Sequence, residues 1–227
     1  MDKHTLTRLS VAGERFEILV RPDAALNFKL GIQTEISSIL VVDTIFTDSS
    51  KGLRASEEKL HKAFSTTDTF EIAQIIMRRG ELQLTSEQRR KLVEEKRLQI
   101  ISFISRNCID PRTGFSHPPL RVEQAMDQIR LVIDPFKSGE EQARVVIDDL
   151  RAILPIRFEK IRLAIKIPPE YAAKSIGVVR EFGNVSKDEW QSDGSWIAVV
   201  EMPAGLRAPF LERVGKVTQG NYQTKIL

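Results

Sequence analysis

The sequence predicts an α+β protein in three successive parts. A mixed α/β segment covers residues 1–85, a helix-only segment covers 86–160, and a βαββαβ segment covers 161–227. Two observations carry this. The period of the apolar residues changes twice along the chain, from mixed to purely helical and then to strands alternating with helices. Capping and turn residues fall where the period changes. The length, 227 residues, is long for one domain and comfortable for two or three.

In the first segment Arg15-Phe16-Glu17-Ile18-Leu19-Val20 alternates and reads as a strand, which Arg21-Pro22-Asp23 breaks. Thr44-Ile45-Phe46-Thr47 is a second short strand, ended by a turn at Asp48-Ser49-Ser50-Lys51-Gly52. Ser56 caps a helix carrying Leu60, Ala63 and Phe64. Asp68 with Glu71 forms a capping box for a helix with Phe70, Ile72, Ile75 and Ile76, which stops at Gly80.

The second segment reads as helices only. Thr85 with Gln88 opens a long helix that runs to the vicinity of Asn107, and Asp110-Pro111-Arg112-Thr113-Gly114 is a turn. Pro118-Pro119 starts a helix whose apolar stripe is Val122, Ala125, Met126, Ile129, Val132 and Ile133, closed by Asp134-Pro135. Ser138-Gly139-Glu140-Glu141 caps a third helix with Ala143, Val146, Ile147, Leu150 and Leu154 on one face. Three amphipathic helices joined by short loops make a central three-helix bundle.

In the third segment Ile161, Leu163, Ile165 and Ile167 alternate with Arg162, Ala164 and Lys166 as a strand with one polar face. Pro168-Pro169 opens a helix to the vicinity of Arg180. Strands follow over 183–190 and 195–201, joined at Ser192-Asp193-Gly194. A helix with Leu206, Phe210, Leu211 and Val214 ends at Gly215, and Tyr222 to Leu227 forms a last strand. That order of elements is the order of a ferredoxin-like βαββαβ domain.

Hydrophobic residues at 41% suffice to bury cores, and with 29% charged residues of both signs they exclude a disordered chain. No apolar run approaches the ~20 residues a membrane span needs. The start, Met1-Asp2-Lys3-His4-Thr5, lacks the basic-then-apolar pattern of a leader, and Cys108 is the one cysteine, so no internal disulfide forms. A cytoplasmic protein with no membrane partner is the expectation. Cys108 follows Ile100, Ile101 and Ile104 at helical spacing and reads as a buried core residue rather than a nucleophile.

The net charge is +3. The first segment holds 11 Lys and Arg against 12 Asp and Glu, the second 14 against 12, and the third 9 against 7. Nowhere is there a polybasic tail, so any nucleic-acid contact must come from folded patches.

Catalytic patterns are missing: the sequence has no GxGxxG, no GxxxxGK[ST], no HExxH and no GxSxG. His4, His61 and His117 are scattered, read as surface or loop residues, and have no Cys at metal-ligand spacing. The acidic pairs Glu57-Glu58, Glu94-Glu95, Glu140-Glu141 and Asp148-Asp149 each sit on an expected helix beside Lys or Arg, as solvated faces do. The expectation is therefore no catalytic residue, no metal and no cofactor.

Basic clusters occur at Arg78-Arg79, at Arg89-Arg90-Lys91 with Lys96-Arg97, and at Arg157, Lys160, Arg162 and Lys166. Composition leaves open whether these are solvated helix faces or an RNA footprint. The loop Ser49-Ser50-Lys51-Gly52-Leu53-Arg54 is the best local candidate for a phosphate contact, through backbone N–H groups with Lys51 and Arg54 beside them, against an ordinary exposed turn. Trp190 and Trp196 flank the Asp193-Gly194 turn, where cross-strand packing competes with base stacking.

Six strings in order carry a family resemblance: Ala12-Gly13-Glu14-Arg15-Phe16-Glu17-Ile18, Ser50-Lys51-Gly52, Ala63-Phe64-Ser65-Thr66-Thr67-Asp68 with Glu71-Ile72, Arg79-Gly80-Glu81-Leu82-Gln83, Asn107-Cys108-Ile109-Asp110-Pro111-Arg112-Thr113, and Val122-Glu123-Gln124-Ala125-Met126. Together they resemble the Shwachman–Bodian–Diamond syndrome protein family of ribosome maturation factors, as a compact archaeal-type member. The resemblance is strongest in residues 12–130. It implies a three-domain, non-enzymatic protein that binds the large ribosomal subunit. It also implies cooperation with an elongation-factor-2-like GTPase, which supplies the GTP chemistry, to release the anti-association initiation factor six. The RNA-facing positions it implies are Arg15, Lys51 and Arg79; charge and expected exposure add Lys29, Arg54, Lys59 and Lys62. Ser65 departs from a position where the family often has Gly, and Gln124 from one where Arg is common. Nothing suggests a self-complementary interface, so a monomer is expected. The rival expectations are an RNA-binding accessory protein of an RNA-processing or degradation complex, and a protein adaptor without RNA contact.

Overall fold

The computed structural model describes residues 4–227. Met1, Asp2 and Lys3, on which the reading of the chain's start rests, lie outside the described residues. The chain divides into two compact units, one ending at Leu92 and one beginning at Val93.

The first unit opens with a hairpin of β1 (Thr5–Val11) and β2 (Glu14–Val20), paired from Thr5↔Val20 to Val11↔Glu14. Its two-residue loop is Ala12-Gly13, with φ of 51° and 80°, the two positive angles that a twisted hairpin turn demands. β1 is absent from the sequence expectations, because an apolar Leu6 in the outward phase and a polar Thr7 in the inward phase interrupt its alternation. It also read Arg21-Pro22-Asp23 as a break; Pro22 instead opens α1 (Pro22–Lys29) at the first helical position, where its missing N–H costs nothing.

After the short α2 (Ile36–Ile39), β3 (Phe46–Asp48) pairs with β2 and turns into β4 (Leu53–Arg54). Two capped helices follow. In α3 (Glu57–Phe64) the Ser56 hydroxyl accepts from the Lys59 N–H, and in α4 (Thr69–Arg79) Asp68 Oδ1 accepts from the Glu71 N–H at 2.8 Å. β5 (Glu81–Leu82) then pairs with β1, completing a sheet of order β4-β3-β2-β1-β5. Phe16, Ile18, Val20, Ile39, Ile72, Ile76 and Met77 form the core beneath it. Phe70, expected on the apolar face of α4, is 39% exposed, and Ala73 and Met77 are buried instead.

The helix α5 (Ser86–Asn107) starts with the expected reciprocal box: the Gln88 N–H donates to Thr85 Oγ1 at 3.1 Å, and the Thr85 N–H to Gln88 Oε1 at 3.3 Å. In the second unit β6 (Cys108–Ile109), α6 (Pro119–Met126), α7 (Gly139–Leu150) and β7 (Arg157–Phe158) follow, with β6 paired to β7. Ile100, Ile104, Val122, Met126, Ala143, Ile147 and Leu150 meet in one core. The second helix ends at Met126, seven residues before the expected stripe does. The chain after Met126 is not helical, and the Gln142 amide on α7 bonds both the N–H and the C=O of Asp134. Val132 is 96% exposed rather than part of the stripe.

The remaining elements are β8 (Lys160–Ile167), α8 (Pro169–Phe182), β9 (Asn184–Trp190), β10 (Trp196–Pro203), α9 (Arg207–Thr218) and β11 (Gln223–Ile226). This is the expected βαββαβ order, in an antiparallel sheet of order β11-β8-β10-β9. The last helix runs past Gly215 because Val214 and Thr218 are buried on one face, and the chain leaves it at Gln219 with φ 53°. His117 lies in the loop before α6, as expected, but is buried rather than on the surface: it is 2% exposed, with Nε2 2.8 Å from the Pro155 carbonyl oxygen.

Candidate nucleic-acid interface

Strand alternation gives the N-terminal sheet two different faces. Thr7, Phe16, Ile18 and Val20 point to the helices. The intervening residues point away, and the register aligns them: Arg8 opposite Glu17, Glu17 opposite Phe46, Phe46 opposite Arg54, and Arg8 opposite Glu81. Ser10 opposite Arg15 forms the next row. The open face therefore carries Arg8, Arg15 and Arg54 on three different strands.

Glu17 organises this face. Its carboxylate is 2% exposed and pairs with Arg8 Nε at 3.0 Å and with Arg15. The Ser49 backbone N–H donates to it at 2.9 Å and the Ser49 hydroxyl at 2.7 Å. Burial pushes the carboxyl up, but Ser49, Arg8 and Arg15 outweigh it and hold it down at about 2. An anchored, ionised carboxylate fixes the two guanidinium groups. A guanidinium has five donors, and the two side chains remain 42% and 50% exposed, so they can donate outward as well. A cleft of about 260 Å³ beside them is lined by Leu6, Arg8, Glu81, Leu82, Gln83 and Arg89.

The loop after β3 does not offer the expected cradle of amides. The Ser49 N–H goes to Glu17, the Lys51 N–H to Asp48 Oδ1 at 3.2 Å, and the Gly52 N–H to the Ser49 oxygen at 3.2 Å. The Ser50 hydroxyl and the Lys51 N–H hold the Asp48 carboxyl down at about 2. The loop thus presents side chains only: Lys51, 72% exposed and 3.3 Å from Asp48 Oδ2, and Arg54, which has no ion-pair partner among the described residues.

The other residues picked from the sequence are not gathered with these. Lys29 Nζ donates to the Gly80 oxygen at 2.6 Å, closing the C-terminal end of α4, and burial pushes its amine down. Lys59 pairs at 3.0 Å with Glu14, which is in phase with Phe16 and so lies toward the helices. Lys62 and Arg79 are exposed on α3 and α4. Arg8 is named nowhere among the sequence candidates, whereas Arg89 belongs to the Arg89-Arg90-Lys91 cluster that composition leaves open between a solvated face and a footprint. Arg8 was legible only once β1 had been recognised as a strand.

Elsewhere, burial pushes the Cys108 thiol up to about 11 and leaves it fully enclosed, as a core residue. Among the described residues no group of three or more His, Cys, Asp or Glu side chains converges as a metal site would, and no helix is long and apolar enough to cross a membrane.

Residues 3–90 match the family model of the Shwachman-Bodian-Diamond syndrome (SBDS) N-terminal domain, 98–159 that of SBDS protein domain II, and 161–227 that of the SBDS C-terminal domain. A Methanothermobacter thermautotrophicus protein named ribosome maturation protein SDO1 homolog is 45% identical over 100% of this chain and 98% of its own length. The chain belongs to the Shwachman–Bodian–Diamond syndrome protein family. An Aeropyrum pernix protein of the same name is 40% identical over 96% of the chain and 94% of its own length. The Caenorhabditis elegans ribosome maturation protein SBDS is 29% identical over 98% and 88%. Ser65 stands at φ 61° as the left-handed cap of α3, a conformation that favours Gly.

Proposed function

We propose that this chain is a non-enzymatic ribosome maturation factor that docks on the RNA of the large ribosomal subunit. The observation that carries the reading is the open face of the N-terminal sheet, where Glu17 anchors Arg8 and Arg15, and Arg54 on the same side has no ion-pair partner among the described residues. Arginines fixed on a rigid sheet suit phosphate groups, since their fork matches phosphate oxygens and little side-chain entropy is lost on contact. Family membership supports the choice of target, because the archaeal relatives are named ribosome maturation proteins.

In this reading the chain works as three parts, 1–85 on RNA, 86–160 as a lever and 161–227 as the part that responds to an elongation-factor-2-like GTPase. The GTPase supplies the chemistry, and the joint outcome is release of the anti-association initiation factor six. The chain itself acts as a cytoplasmic monomer without cofactor. The experiment is co-sedimentation of Lys51→Glu/Arg54→Glu with purified large subunits across a salt series. Each lost phosphate contact lowers the slope of log affinity against log salt by about 0.9, so two contacts weaken binding roughly 60-fold at 0.1 M salt. Unchanged affinity and slope would refute the RNA footprint.

A further inference from the structure

The C-terminal sheet repeats, in another fold, the two-faced arrangement of the N-terminal one. Leu163, Ile165, Ile167, Trp196, Ala198, Val200 and Met202 are buried against α8 and α9. The alternate residues of the same strands are on the open side, and the register sets them in rows: Gln223, Lys166, Ile197 and Glu189; then Lys225, Ala164, Val199 and Lys187; then Arg162, Glu201 and Asn184.

Ala164 and Val199 are the middle of this face, half-buried and small. Cations stand around them on all sides. Lys225 and Lys187 occupy the two edge strands, three strand spacings or about 14 Å apart, and Arg162 and Lys166 lie about 13 Å apart along β8. Lys160, Arg162, Lys166, Lys187 and Lys225 against Glu189 and Glu201 give the face a net +3, with Lys160 paired to Glu201 at 3.3 Å. Within residues 161–227, which hold 9 Lys and Arg against 7 Asp and Glu, the face's other four cations and two carboxylates account for the whole net charge of +2. Lys166 is 3.6 Å from Asp193, whereas Arg162, Lys187 and Lys225 have no ion-pair partner among the described residues.

We propose that the open face of the C-terminal sheet is a second RNA surface, which takes the sugar-phosphate backbone of an RNA duplex. It rests on the proposed function only for the choice of RNA as ligand. Sheets of this topology that read single strands stack bases on aromatic side chains of their central strands. Here the corresponding places hold Ala164, Lys166, Ile197 and Val199. Trp196 lies on the helix side, and its register partner Trp190 is in phase with it, away from this face. Without stacking platforms but with four cations at the corners of a low floor, the face suits the shallow side of A-form RNA, which is recognised by shape and backbone. An acidic protein helix fits less well, since grooves that hold helices supply deep apolar pockets, and this floor is flat and made of small residues.

The test uses the full chain and three probes: an RNA hairpin of about 16 base pairs, a single-stranded oligouridine, and a polyglutamate peptide. Lys187→Glu/Lys225→Glu is compared with Lys51→Glu/Arg54→Glu and the natural sequence, and tryptophan fluorescence melting confirms that the C-terminal sheet is intact. The expected result is a loss of roughly 60-fold in hairpin affinity at 0.1 M salt, with the salt slope lower by about 2. Hairpin binding equal to that of the natural sequence overturns the proposal. So does a selective loss of polyglutamate binding, which would assign the face to an acidic protein. Loss only in the Lys51/Arg54 variant overturns this proposal and leaves the N-terminal footprint standing. Loss only in the Lys187/Lys225 variant does the reverse.

Discussion

Glu17→Gln is the sharpest probe of how the N-terminal face is held. The carboxylate is 2% exposed and is bonded by Arg8, Arg15 and the Ser49 N–H and hydroxyl. Its pKa falls from 4.5 to about 2. At about 1.36 kcal/mol per unit this is an upper bound of roughly 3.4 kcal/mol. Both arginines are 42–50% exposed, so solvent screening brings the expected loss to about 2 kcal/mol at pH 7. Glu17 is depressed in the folded state, so its contribution is fully present above the unfolded pKa of 4.5 and disappears as pH falls toward about 2. The stability gap between natural chain and variant should therefore close over that window.

Both tryptophans and both tyrosines lie beyond residue 170, so intrinsic fluorescence does not report on this sheet. Urea unfolding followed by circular dichroism, with hydrogen exchange on peptides from β1 and β2, is the suitable assay. A loss under 0.5 kcal/mol, or a gap that stays constant from pH 7 to pH 2.5, would refute the reasoning.

Three further outcomes are expected. Ala12→Asn should stabilise the chain by about 0.5 kcal/mol in urea titration, because φ is 51° at the hairpin turn and Asn tolerates that region better than Ala. Gly80→Ala should cost more than about 2 kcal/mol, since a Cβ there would sit 2.5 Å from the Ile76 oxygen and 2.6 Å from the Arg8 oxygen; a thermal melt unchanged from the natural chain would contradict this. The Cys108 thiol, buried and raised to about 11, should resist a thiol reagent in the native chain at pH 8 and titrate as one equivalent in denaturant.

The helices with capping boxes and the strands of strict alternation were legible in the sequence. Thr85 with Gln88, Ser138 with its helix, and Ile161 to Ile167 are found where local chemistry places them. The short strands were not legible. β4, β5, β6 and β7 are two residues each and exist only because a partner strand supplies their hydrogen bonds. The site was legible in half. Arg15, Lys51 and Arg54 lie on or beside the open sheet face, but charge alone could not tell them from Lys29, which is spent on the C-terminal carbonyls of α4. Nor could it reveal that Glu17 and Asp48 take up the amides of the Ser49–Lys51 loop. Both facts depend on contacts between residues more than thirty positions apart or on the pitch of a turn, which composition does not encode.

The most direct test of the account is site-specific photo-crosslinking on purified large ribosomal subunits. Ser10 is exposed on the open face of the N-terminal sheet, and Gln74 is exposed on α4, across the core. A photoreactive side chain at Ser10 should crosslink to ribosomal RNA, and the same group at Gln74 should not. Equal crosslinking from both positions, or RNA crosslinks from Gln74 alone, would contradict the assignment of the arginine-bearing sheet face to RNA.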